Sequence, residues 1–206
     1  MFSRGLAALI LTFLFSTLLH AEYLYKDEVV QIDAFAKEVE ELGSELEAKT
    51  GISLYLVMIK ELAEGQTIID YEKELAANVK GDAVFLTFVE FNKKVDIHAT
   101  NASLYKYFDK EQVLSFMPNT GTIIPLLVAK AKDVPLNEKY ASALMNGYAD
   151  IAEQIADAKD VKLEHAVGNA NKNFINLLRL FFYGMIAYGL YLYIKRKYMT
   201  RKRVDE

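Results

Sequence analysis

Between residues 27 and 49 the apolar positions Val29, Val30, Ile32, Phe35, Val39, Leu42 and Leu46 recur mostly at three- or four-residue spacing, with Glu38, Glu40, Glu41, Glu45 and Glu47 between them. That spacing gathers one apolar stripe and one charged face, so it predicts an amphipathic helix. Thr50-Gly51 ends it, because glycine readily takes the left-handed conformation that closes a helix. Residues 52–59 (ISLYLVMI) are too few for a globular helix and rich in β-branched side chains. Their near-continuous apolarity predicts a strand buried on both faces. Residues 68–79 read as a second helix and 83–89 (AVFLTFV) as a second buried strand. Asn92-Lys93 then turns the chain into residues 95–99, whose apolar-polar alternation predicts a hairpin.

Three further helical stretches follow. Asp109 is a good N-cap for residues 110–116, Pro118-Asn119 breaks that stretch before 122–132, and Val134-Pro135 separates the long helix 137–158. In that last helix Tyr140, Leu144, Tyr148, Ile151 and Ile155 form the apolar stripe. The fold class is therefore α/β, a small mixed β-sheet (strand–helix–strand plus hairpin) flanked by helices.

Both ends are more apolar than the middle. Residues 1–21 read as a signal peptide: Arg4, an apolar or small run over 5–19, and Ala21 before the acidic Glu22, either cleaved there or retained as an anchor. Residues 174–194 are almost wholly apolar, and as a helix they would reach about 31 Å, enough for a hydrocarbon core of ~30 Å. Asn176 and Arg179 fall in the first turns, where the arginine can reach headgroups. A buried core helix is the competing reading. The tail 195–206 carries six Lys and Arg, which favours a transmembrane helix with the C-terminus in the cytoplasm. The expected organisation is signal peptide 1–21, α/β domain 22–158, stalk 159–173, transmembrane helix 174–194 and basic cytoplasmic tail 195–206. The main domain would face the periplasm from the inner (plasma) membrane.

Charge and composition narrow the function. Residues 22–173 hold 16 Lys and Arg against 26 Asp and Glu, a net −10, while the rest of the chain carries +6. An acidic body excludes the basic footprint that nucleic-acid binding needs. With no cysteine there is no disulfide, thiolate metal site or cysteine nucleophile. No glycine-rich phosphate loop or Gly-x-Ser-x-Gly turn occurs either.

The element order resembles the TPM-domain family, exported α/β domains often followed by a transmembrane segment, over about residues 25–158. Lys49-Thr50-Gly51-Ile52, the run GDAVFLTFVEFNKKVDIHA, Asp109 at a helix start, Ile124-Pro125 and Lys139-Tyr140-Ala141 before the last helix carry the resemblance. It implies a phosphatase or a divalent-metal binder (Ca²⁺ or Mg²⁺) in some members and a module assisting a membrane complex in others. The chain departs from the family pattern in three places. Tyr25-Lys26-Asp27-Glu28 keeps one aspartate of an Asp-Asp pair, Ala83 replaces a usual glycine, and Thr100-Asn101-Ala102-Ser103-Leu104 replaces a glycine-rich turn.

Two sets of candidate residues follow. Asp27, Asp82 and Asp109 would be the catalytic and metal-binding carboxylates of a phosphatase if they met at one edge of the sheet. Otherwise they are a helix-start acid, a turn residue and an N-cap. His98, on the alternating strand, is a base, a ligand or neither. Tyr105, Tyr107 and Phe108 offer an aromatic partner-binding surface, unless they fold down over the core. The altered turn at 100–104 favours an interaction or accessory module with no certain cofactor. Its expected partners are membrane lipid through one transmembrane helix and a membrane or periplasmic protein, and the metal-dependent phosphatase is the alternative.

Overall fold

The computed structural model describes residues 23–130 and 134–166, together with Met185, Tyr188 and Tyr191, which are helical and exposed. The expected signal peptide, most of the membrane helix and the basic tail lie outside the described residues. Among the described residues, no helix is long and apolar enough to cross a membrane.

In chain order the elements are β1 (Leu24–Asp27), α1 (Asp33–Thr50), β2 (Ser53–Ile59), α2 (Ile68–Asn78), β3 (Ala83–Val89), β4 (Lys94–Ala99), a 3-10 turn (Ala102–Lys106), α3 (Lys110–Val113), α4 (Ile124–Val128) and α5 (Leu136–Ala158). They build a mixed four-stranded sheet of order β1-β2-β3-β4, with β1, β2 and β3 parallel and β4 antiparallel to β3. The α/β class is thus as expected. The first strand is not. Four residues with one buried side chain give no periodic signal, and Val29, Val30 and Ile32 fit the helical stripe that follows. The helix starts at Asp33 instead, because the Asp27 carboxylate ties up the backbone between, accepting from the N–H groups of Val29, Val30 and Gln31 at 3.0, 2.8 and 2.7 Å. Gln31 takes the left-handed conformation (φ 52°) to make that turn.

The register divides the sheet into two faces, since successive residues point to opposite sides. Leu54, Leu56, Met58, Leu86, Phe88 and Ile97 are fully or almost fully buried. They lie on the face covered by α5, where the Phe88 and Tyr140 rings stand 4.9 Å apart. Helix α1 packs along α5 and β2, and the contact is close at Gly43. A Cβ there would fall 2.5 Å from both the Tyr148 hydroxyl and the Tyr23 ring, so only glycine fits. That Tyr148 hydroxyl is itself buried and donates to the Leu54 carbonyl at 2.7 Å. Helix α2 packs on β3 and β4 over the opposite face.

Residues 159–166, the expected beginning of a stalk, turn back onto the domain. Leu163 and Ala166 are buried, and Glu45 of α1 receives the N–H groups of Glu164 and His165 at 2.6 and 2.9 Å.

Candidate functional site

The three aspartates do not come together. Asp27 ends β1 opposite Met58, at the C-terminal end of the parallel strands. Asp82 is exposed just before β3, and its carbonyl accepts the N–H of Ser53 at 3.1 Å, so it sits at the other end. The five steps from Ser53 to Met58 separate them by about 16 Å along the strands, at ~3.3 Å per residue. The Asp27 carboxylate is also occupied by three backbone N–H groups. Asp109 caps α3, accepting from the Gln112 N–H at 3.0 Å, and its own N–H donates to Gln154 of α5 at 2.8 Å. This donor set does not fit a single Ca²⁺ or Mg²⁺, and among the described residues no group of three or more His, Asp or Glu is placed to hold a metal ion. The expectation that the three meet at one sheet edge is corrected on that geometry. What the sequence pattern missed was β1, which moves Asp27 from a helix start to a strand end.

The aromatic segment lies in a different setting. An open groove of about 990 Å³ runs beside it, lined by Tyr105, Tyr107, Phe108, Asp109, Lys110 and Gln154 among others. The three expected partner-binding residues have separate tasks there. Phe108 is 5% exposed and packs against the Tyr105 ring at 5.6 Å, so most of it belongs to the core. Tyr105 is half-buried, and its hydroxyl accepts the N–H of Ala99 at 3.2 Å. Tyr107 stands at the rim with the Lys106 and Lys159 ammonium groups 4.7 and 4.6 Å from its ring centre. Those two cations, Lys106 first, lower the pKa of its phenol.

The groove wall is built on the free edge of β4. Edge strands offer unpaired N–H and C=O groups that other chains can pair with. Here the Ile97 carbonyl accepts from Lys110 Nζ at 2.6 Å, the Ile97 N–H donates to Asp96 Oδ1 at 2.8 Å, and Tyr105 takes the Ala99 N–H. Lys110 Nζ also reaches Asp96 Oδ1 at 2.6 Å. The segment after β4 therefore blocks strand addition at 97–99, and recognition at this place falls to side chains.

Behind that wall lies a group which sequence reasoning overlooked. Glu72 of α2 is 0% exposed, and neither carboxylate oxygen has a hydrogen-bond partner. The buried Thr87 hydroxyl beside it, on β3, has none either. Burial pushes the Glu72 carboxyl up to about 8, with the charge of Asp96 adding to the rise and Thr87 and Lys110 pulling it back. Asp96 faces Thr87 directly in the ladder, and His98 faces Phe85 two residues further along the same face. The imidazole of His98 is half-buried, and burial followed by the Lys110 charge lowers its pKa, so it is neutral near pH 7. A signal for Glu72 does exist in the sequence. Ile68, Glu72, Leu75 and Val79 are four, three and four residues apart, so Glu72 is a carboxylate on an apolar stripe.

The chain matches no protein-family model and no curated protein, so the groove and the buried carboxyl are read from their own geometry.

Proposed function

We propose that this chain is a TPM-like accessory module, held in the inner membrane by one C-terminal helix, whose periplasmic domain docks a membrane or envelope protein in the groove beside Tyr107. The observation that carries this reading is the open groove of about 990 Å³ on the very segment whose aromatic content marks a contact surface. Tyr107 supplies rigid contact area at low entropic cost, and Lys106 and Lys159 make its rim suited to an acidic segment of the partner. The apolar run 174–194 and the six basic residues after it support the tether and its orientation.

Site-specific photocrosslinking tests the reading in intact membranes. A photoreactive residue at position 107 of the full chain is expected to give a discrete crosslinked protein, lost when Lys106 and Lys159 are changed to Glu. The same probe at the exposed position 61 should give none. Equal crosslinking from both positions would sink the proposal. So would Ca²⁺- or Mg²⁺-dependent hydrolysis of a phosphate monoester by the full chain that disappears in Asp82→Ala.

A further inference from the structure

Buried polar groups almost always find hydrogen-bond partners, and a buried carboxyl without one needs a reason. Glu72 faces Thr87 from β3, Asp96 and then His98 along β4, and Lys110 from α3, while Lys73 of its own helix acts on His98. Among these, Asp96 is a second carboxylate, and its Oδ1 already accepts from both Lys110 Nζ and the Ile97 N–H. Two carboxylates facing each other across a buried helix–sheet contact cannot both ionise without a large cost. One proton keeps the arrangement neutral enough to close.

We propose that Glu72 keeps its proton in the folded domain and acts as a latch: when the proton leaves, Asp96 and Lys110 unfasten from the outer edge of β4, and the groove wall opens. The direction of movement follows from exposure. Glu72 is sealed between α2 and the sheet, whereas the Asp96 and Lys110 side chains are 18% and 34% exposed. Once both carboxyls are charged, Asp96 is repelled and can swing out to water, while Lys110, the cation that favours a charged Glu72, is drawn inward toward it. Lys110 then leaves the Ile97 carbonyl, Asp96 leaves the Ile97 N–H, and the neighbouring Tyr105 contact with Ala99 loses its support. The raised pKa of Glu72 places this event in mildly alkaline solution. Any effect on docking rests on the reading of the groove proposed above, but the latch is testable with no partner present.

The test uses the uniformly labelled full chain in detergent micelles. The side-chain carboxyl carbon of Glu72 is titrated by NMR, and amide hydrogen exchange is followed at Ile97 and Ala99 on the outer edge. The Thr100 amide, which donates inward to Ala83, is the control. As pH rises from about 4.5 toward 8 the outer amides should lose protection by up to about tenfold per pH unit beyond ordinary base catalysis and level off above that, while Thr100 does not. Glu72→Gln, which cannot ionise, should abolish that excess. An identical excess in wild type and Glu72→Gln overturns the latch, as does loss of Thr100 protection in step with the outer amides. If the variant does not fold, the titration decides: an ionisation of Glu72 below pH ~6 overturns the proposal, since burial would then not hold the proton.

Discussion

Two glutamates on neighbouring helices behave in opposite ways, and the contrast shows what decides the state of a buried acid. Glu45 of α1 is surrounded by donors: Lys49 Nζ and the Glu164 N–H at 2.6 Å, and the His165 N–H and Nδ1 at 2.9 Å. Burial alone would raise its carboxyl, but these donors outweigh it and hold it down at about 2. Glu72 of α2 has burial and the Asp96 charge against only the weaker pull of Thr87 and Lys110, with no hydrogen bond formed to either oxygen, and is pushed up to about 8. Desolvation acts on both, so the number of donors sets the sign. The consequence is structural at Glu45, which pins the chain where it leaves α5. At Glu72 the unmet hydrogen-bonding capacity leaves a group free to change its charge.

The largest effect expected from this contrast is in the pH dependence of stability. Glu72 is neutral in the folded domain up to about pH 8 but ionises near 4.5 when unfolded, so between those values the native state binds the extra proton. Stability must therefore fall as pH rises through that window, by up to about 1.4 kcal/mol per pH unit. Denaturant midpoints at pH 5, 6.5 and 8 should show this decline in the wild type and a flattened profile in Glu72→Gln. Parallel profiles would place Glu72 in the same class as Glu45.

Glu45 should give the opposite limb and a smaller effect. Its folded pKa lies below the unfolded value, so its contribution is present above about 4.5 and is lost as pH falls toward 2. Glu45→Gln is expected to cost about 1.5–3 kcal/mol at pH 7, the usual range for hydrogen bonds to a charged group. The loss should also expose the Glu164 and His165 amides to exchange. A variant as stable as wild type, with those amides still protected, would mean that Leu163 and Ala166 hold the segment by packing alone.

How much of this was legible in the sequence depends on how local each cause is. Strands β2 and β3 are continuous apolar runs, and the structure places them at 53–59 and 83–89 as expected to within one residue. The long helix α5 likewise begins within a residue of its expected start, because its stripe and the preceding proline are local signals. Strand β1 was illegible because β2 alone defines it: three of its four residues pair with Leu56, Val57 and Met58, and the four show no pattern of their own. The site follows the same rule. The segment 105–108 can be picked out by its aromatic content, but its use as an edge cap depends on which β4 groups point outward. In the sequence Glu45 is one more acid on a charged helix face with Lys49 four residues on, since the backbone donors that set it apart lie well over a hundred residues further along the chain.

A smaller effect is expected at the cap itself. Tyr105→Phe removes the acceptor for the Ala99 N–H while keeping the ring packed on Phe108. The cost should be about 1 kcal/mol. Exchange should quicken at Ala99, and Ile97, held by Asp96, should be unaffected. Equal changes at both amides would show that the edge opens as one unit even without a charge at Glu72.

The smallest change gives the sharpest test of whether Glu72 truly lacks a partner. Thr87 is fully buried with its hydroxyl unpaired, yet it lies close enough to Glu72 to pull that carboxyl's pKa down against burial and the Asp96 charge. Thr87→Val keeps the β-branched shape and removes the hydroxyl. If the hydroxyl makes no hydrogen bond, its removal gives up nothing, and stability should stay within about 1 kcal/mol of wild type or improve. The titration of Glu72 should at the same time move further upward, because the one neighbouring dipole that favours its charged form has gone. A loss of more than about 2 kcal/mol would mean that the hydroxyl had been holding the carboxyl. The difference between the two glutamates would then be one of degree, since each would have a partner and only Glu45 would have enough of them.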